Sequence, residues 1–227
     1  MEQEVRMQII ARVRSDFSTK FGIPRQSGLV EELESRIVFE PEFRDANALR
    51  GIEQFSHLWL IWQFSANAEA GWSPTVRPPK LGGNARLGVF ATRSPFRPNP
   101  IGLSAVRLAG VEQDPSLGTV LRVTGADLMD GTPILDIKPY VPYTDAHPDA
   151  AQGYTARTGE GRLRVEIPEA LLARVPMDKR AALAGAPAQD PRPGYQDDPE
   201  RVYGFPFAGM EVRFRVADGT LNVMDIK

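Results

Sequence analysis

The residues with the clearest capacity for chemistry lie in one loop. From Gly88 to Leu108 the chain reads GVFATRSPFRPNPIGLSAVRL, with Arg93, Arg97 and Arg107, prolines at 95, 98 and 100, and no acid. A turn that only reverses the chain closes in two residues, commonly Asn-Gly or Asp-Gly. This one is longer, stiffened by proline rings that fix φ, and uncompensated in charge. Such a surface suits an anion, because a guanidinium presents a planar fork to carboxylate or phosphate. Three more loops carry similar groups: IPRQSG (23–28), DLMDGTPILDIKPY (127–140) and DPRPGY (190–195). Asp130-Gly131 marks a tight turn, and Asp136 and Lys138 fall on one side of the strand after it. The structural alternative for Arg97 is an ion pair with Asp136 or Asp130. Loops that meet at strand ends commonly build one pocket.

The totals exclude several classes. The 227 residues include no cysteine and two histidines, His57 and His147. There is thus no thiol nucleophile, disulfide framework or zinc-thiolate site, and no metal is expected. No G-x-G-x-x-G opens a helix after a strand, and there is no phosphate-binding G-x-x-x-x-G-K-S/T loop and no G-x-S-x-G elbow. The Asn/Asp-Pro-Pro-aromatic tetrad of doubly wound adenine amino-methyltransferases is missing too; NPIG and RPPK do not match it. No run of about eighteen apolar residues predicts a membrane span. The acidic start MEQEVRMQII is unlike a signal peptide, and a cytoplasmic protein is expected. The net charge is −2, yet Ala70 to Val111 holds six basic residues and no Asp or Glu. Either this is a solvated basic face or it is the field that an anionic ligand meets.

The elements that must position these residues are mostly short strands. β-Branched and aromatic runs predict strands at 7–15, 35–43 and 56–66, the last expected to be buried on both faces. RLGVFATR and GLSAVRLAGVE are expected to flank the arginine loop as strands, and TVLRVTGADL and PILDIKPY to follow. A short helix is predicted over 45–55, with Asp45 as N-cap and Gly51 as stop. About seven strands with one helix suggest a closed or strongly curled sheet, not alternating βαβ units. Apolar content falls at 144–161, which places a domain boundary there: residues 1–147 form a β domain and 148–227 a small α+β unit. The latter is read as a strand at RLRVEIP, short helices at EALLARV and MDKRAALAG, a proline-rich loop at 186–200, and a final hairpin turning at Asp218-Gly219. So small a unit is expected to lean on the first.

The segment GVFATRSPFRPNPIG resembles the signature of the TsaA-like (YaeB) family, and DGTPILDIKPY, FSHLW and PRQ resemble its other blocks. The resemblance covers about residues 7–145, while AQDPRPGY resembles the C-terminal part of bacterial members. It implies a mainly β protein, a single-sheeted TsaA-like β-barrel, that acts as a homodimer. The implied activity is methyl transfer from S-adenosylmethionine to N6 of threonylcarbamoyl-adenosine beside the anticodon of threonine tRNA. By position, the resemblance puts cofactor contacts on Pro24, Arg25, Gln26, Ser65, Ala66, Arg93, Leu103, Leu128, Met129, Asp130 and Gly131. Many members have histidine where this chain has Ser65. Arg97, Asn99, Lys138 and Arg192 are the candidates for the substrate side, with Asp136 and Asp190 as proton acceptors. Two other readings use the same basic face: a non-catalytic module that binds RNA or an anionic metabolite, and a sensor of S-adenosylmethionine.

Overall fold

The structure, a computed structural model, describes residues 4–81, 84–158, 161–192 and 198–227. Its first part is a six-stranded antiparallel sheet. The strands are β1 (Ala11–Arg14), β2 (Glu34–Phe39), β3 (His57–Gln63), β6 (Ile101–Asp114), β7 (Gly118–Thr124) and β8 (Pro133–Pro139). Between β3 and β6 lies a two-residue pair, β4 (Thr75–Val76) and β5 (Leu87–Gly88). The sheet order is β1-β2-β7-β6-β3-β8, and β8 pairs back onto β1, so every strand has two neighbours. Alternating residues line the inside of this ring, with Val13, Ile37, Leu58, Leu60, Val106, Leu121, Val123 and Ile134 forming its core. A sheet that closes in this way leaves no edge to protect.

Four local expectations change. Residues 45–55 form two 3₁₀ turns, Ala46–Leu49 and Ile52–Gln54. Asp45 does cap the first through the amide of Asn47, but Gly51 at φ 88° interrupts any continuous helix. RLGVFATR is not a full strand: beyond β5 the chain turns through Val89–Ala91, because its only partner, β4, is two residues long. The strand at 7–15 narrows to β1. Strand β3 buries one face only: Leu58 and Leu60 point into the core, while Trp59 and Ile61 are half-covered outside.

The second part is a four-stranded sheet of order β10-β11-β12-β9, formed by β9 (Arg164–Glu166), β10 (Tyr203–Phe207), β11 (Met210–Ala217) and β12 (Thr220–Ile226). It is joined by α2 (Glu169–Leu172) and α3 (Arg180–Ala188); a single-turn α1 (Pro142–Asp145) ends the first part. Asp218 and Gly219 both have positive φ, as the β11–β12 hairpin turn requires. Strand β10 escapes the sequence reading because Pro206 interrupts it; at the sheet edge that proline removes no needed donor. The core of this unit is not its own. Phe17, Val30 and Leu33, from the loop between β1 and β2, are buried in it beside Phe205, Phe207 and Phe214.

Candidate functional site

Strand direction gathers the candidate loops. Neighbours in the ring are all antiparallel, so β1, β3 and β7 run one way and β2, β6 and β8 the other. The connections after β1 (15–33), after β3 (64–100) and after β7 (125–132) therefore emerge at one end. Main-chain hydrogen bonds join the first to the third: Gly28 N donates to Gly125 O at 2.9 Å and Asp130 N to Phe17 O at 2.8 Å, while Phe64 N to Pro100 O at 2.8 Å closes the second on itself.

Within this end, Gln26 Oε1 accepts a hydrogen bond from Arg93 Nη1, which joins two segments 67 residues apart. Pro24 is buried beneath them, Leu103 is exposed on the outer face of β6, and Ser65 and Ala66 are exposed where the chain leaves β3. The 127–131 loop serves structure as well. Leu128 has its side chain in the ring core and its carbonyl bonded to Ser15 Oγ at 2.8 Å. Met129 O accepts the Thr132 hydroxyl at 2.7 Å, and Asp130 Oδ1 accepts the Ser15 amide at 3.1 Å. Gly131 supplies the positive φ of 76° that this turn needs.

One acid missed by the sequence reading stands among them. Asp127 Oδ1 accepts the Ser104 hydroxyl at 2.6 Å, and Ser104 Oγ accepts the Trp62 indole N–H at 3.0 Å. Trp62 fits because its β6 partner is Gly102: a β-carbon there would lie 2.3 Å from the ring. Burial pushes the Asp127 carboxyl above its ordinary range. The Ser104 hydroxyl, its own amide, the Arg93 charge and the Ser27 amide pull the other way.

The expected substrate-side residues divide. Arg97 folds back on its own loop, Nη1 donating to Thr92 O at 2.9 Å and Ser94 O at 3.2 Å. It makes no ion pair with Asp130 or Asp136, whose partners are Arg14 and Lys138. Asn99 is exposed, with its carbonyl turned to the Ile101 amide. Asp136 and Lys138 pair at 2.9 Å on the outer face, opposite Ile61 and Trp59 of β3. Asp190 meets Arg192 through both carboxylate oxygens, at 2.9 and 3.0 Å. The Arg192 carbonyl in turn accepts Arg25 Nη2 at 2.8 Å. Burial pulls the Arg25 guanidinium below its ordinary value, and the Asp190 charge opposes this. The remainder of DPRPGY, from Pro193 to Tyr195, lies outside the described residues. Among the described residues, no three His, Asp or Glu side chains gather as a metal-binding group, and no helix is long and apolar enough to cross a membrane. Two adjoining cavities of about 340 and 180 Å³ share Glu31, Arg107 and Thr124 in their walls, and the smaller is also lined by Gly28 and Gly125 of the joined loops.

A fold with loops gathered at one end, an Arg–Gln contact and a part-buried acid defines a ligand-binding site of a non-Rossmann kind. Comparison with known proteins gives its class. Residues 12–146 match the family model of the tRNA-methyltransferase O N-terminal domain, and residues 162–227 match the TrmO C-terminal domain. The chain is 41% identical to the tRNA (adenine(37)-N6)-methyltransferase of Escherichia coli K12, over 96% of each chain. It is 42% identical to a putative S-adenosylmethionine-dependent methyltransferase, RcsF, of Pseudomonas aeruginosa, over 96% of this chain and 95% of that one. A crystal structure of TrmO from Pseudomonas aeruginosa superposes with a TM-score of 0.80 at 35% identity, covering 100% of this chain and 98% of the other. The class is thus an enzyme, a methyltransferase that uses S-adenosylmethionine. The chain belongs to the tRNA-methyltransferase O family. This sets aside the reading as a non-catalytic binding module.

Proposed function

We propose that this protein methylates N6 of the adenosine beside the anticodon of tRNA, and that its substrate is threonylcarbamoyl-adenosine in threonine tRNA. The observation that carries the reading is the convergence of the 23–28, 64–66, 92–103 and 127–131 segments at one end of the ring. These are the segments that family resemblance assigns to the methyl donor. Bound there, S-adenosylmethionine supplies an electrophilic methyl group on a sulfonium. The residues present fit it: a polar floor at Gln26, Arg93 and Asp127, and the exposed apolar side chain of Leu103. Pro24, Arg25, Gln26, Ser65, Ala66, Arg93, Leu103 and the 128–131 backbone make this wall. Because Leu128 turns its side chain into the core, its part is to hold the loop.

Methyl transfer from a sulfonium needs in-line placement more than covalent help. The threonylcarbamoyl group adds a carboxylate near the reacting nitrogen, and Arg97 is the residue we assign to it. Its Nη1 is held by two carbonyls; among the described residues, Nε and Nη2 make no hydrogen bond. That leaves one edge of a fixed fork for a planar anion. Asn99, Arg77, Lys80 and Arg86 extend the acid-free surface toward tRNA phosphates, while Lys138 and Arg192 serve their ion pairs with Asp136 and Asp190. We place the enzyme in the cytoplasm, as a homodimer.

Calorimetry with S-adenosylmethionine tests the site. Wild type is expected to bind it, and Arg93→Ala to lose at least tenfold in affinity while keeping its circular dichroism. An unchanged affinity in the folded variant contradicts the assignment.

A further inference from the structure

We propose that Asp127 is the catalytic residue that takes the N6 proton during methyl transfer, and that Ser104 and Trp62 are positioning residues that fix it. The inference rests on the donor site proposed above and adds the group that completes its chemistry. Three observations carry it. First, Asp127 is framed by neighbours of the assigned donor contacts. Ser27 follows Gln26 and Asp127 itself precedes Leu128, and the Arg93 charge acts on it. Second, the hydrogen-bond chain from Trp62 through Ser104 to Asp127 has one arrangement when the carboxyl is charged. An indole N–H can only donate, so Ser104 accepts from Trp62, and it gives its own proton to Oδ1 of the charged Asp127 carboxylate. Oδ1 is therefore already engaged as an acceptor in the charged state, which leaves Oδ2 to take a proton. A proton arriving at Oδ2 requires no rearrangement, which is what a base that cycles between the two states needs. Third, Ser104 is only 1% exposed, so its hydroxyl has no competing water and holds the carboxyl in one orientation.

The other candidate acids lack this placement. Asp136 is paired with Lys138 outside the ring, and Asp190 with Arg192. In the reaction the N6–CH₃ bond forms as the sulfur–CH₃ bond breaks, and the breaking pair goes to sulfur, which becomes neutral. The N6–H bond then gives its pair to nitrogen and its proton to Asp127. The proton is later lost to solvent. N6 is a poor nucleophile because its lone pair is delocalised into the purine and the carbamoyl carbonyl, so a positioned base matters here; such bases contribute about 10²- to 10⁴-fold. Burial holds the carboxyl above its ordinary range, which makes it a better acceptor than an exposed aspartate. Among the described residues, Arg93 is the charged group that acts on it; Ser104 and Ser27 are neutral.

The test uses the full chain with threonine tRNA bearing the threonylcarbamoyl group. Asp127→Asn keeps an acceptor for Ser104 and is expected to lose about 10²- to 10⁴-fold in kcat, with the dissociation constant for S-adenosylmethionine changed less than about tenfold by calorimetry. Ser104→Ala removes a donor to the carboxylate, so the acid limb of its kcat–pH profile is expected to move to higher pH. Carbon NMR of the Asp127 carboxyl in the free protein should move the same way. A wild-type kcat in Asp127→Asn, or an acid limb and carboxyl titration unmoved in Ser104→Ala, overturns the assignment. So does loss of donor binding with kcat at saturation unchanged, which would make Asp127 an anchor for the donor. If Asp127→Asn does not fold, the Ser104→Ala profile decides alone. Wild type that binds the donor but transfers no methyl to this tRNA overturns the substrate reading above, and this assignment with it.

Discussion

At the scale of single residues, two side chains show how position sets chemistry. Arg97 looks in the sequence like a free cation, yet one of its nitrogens braces the loop that carries it. That brace fixes the direction of its remaining edge. Arg97→Lys keeps the charge but loses the fork and the brace, since an ammonium is a point charge. The preference for modified over unmodified threonine tRNA, read as a ratio of kcat/KM, is expected to fall by about ten- to a hundredfold, the equivalent of a charge-assisted bond of roughly 1.5–3 kcal/mol. An unchanged ratio contradicts the role. Asp127 carries the opposite lesson. Burial raises its carboxyl above the unfolded value, so folding favours the neutral form. Its contribution to stability is fully present below the unfolded pKa and is lost as pH rises through the folded one. Asp127→Asn is therefore expected to melt no lower than wild type at pH 8, and its advantage should shrink on acidification. Thermal melts across pH would check this, and a lower melting point at pH 8 contradicts it.

At the scale of elements, the sheet was legible and the wiring of the loops was not. Strands β2, β6, β7 and β8 announce themselves by short β-branched and apolar runs, and the hairpin of β11 and β12 by Asp218-Gly219. The arginine loop was legible because three prolines and no acids in one stretch have few structural uses. Asp127 was not: GADLMDGTP holds two acids, and only the fold shows that Asp130 caps the end of β1 while Asp127 turns toward Ser104. A weak signal existed, since Asp127 is flanked by Ala126 and Leu128, both buried in the core. The 15–33 connection was equally opaque, because its apolar residues find their partners nearly 190 residues away. Phe17 meets Phe207 edge-on at 5.3 Å, Asp16 pairs with Lys179 at 2.7 Å, and Gly22 lies so close to Phe205 that a β-carbon would sit 2.6 Å from its ring. The C-terminal unit thus clamps the loop that presents Pro24, Arg25 and Gln26. Phe205→Ala, in a fully buried position, is expected to cost about 3–5 kcal/mol of stability. It should also weaken binding of S-adenosylmethionine, although no atom of Phe205 belongs to the proposed site. Denaturant melts with calorimetry on the folded fraction would test both, and undiminished donor affinity contradicts the coupling.

At the scale of the whole molecule, several of the large apolar side chains left outside belong to the segment at the loop end of the ring. Trp72, Phe90, Phe96, Ile101 and Leu103 are all exposed there, within or beside the acid-free stretch. Exposed apolar groups gathered in one region mark an interaction surface. With the family resemblance, they support a homodimer whose interface lies beside the donor site. Sedimentation at micromolar concentration is expected to give twice the mass of the chain; a fully active species of single-chain mass contradicts this. The proposed reaction has a direct readout. Threonine tRNA carrying threonylcarbamoyl-adenosine, incubated with the protein and S-adenosylmethionine, can be digested to nucleosides and weighed by mass spectrometry. The expected result is the gain of one methyl group on threonylcarbamoyl-adenosine, dependent on both protein and donor. An unmodified nucleoside pool, or a methyl group gained elsewhere in the tRNA, would contradict it.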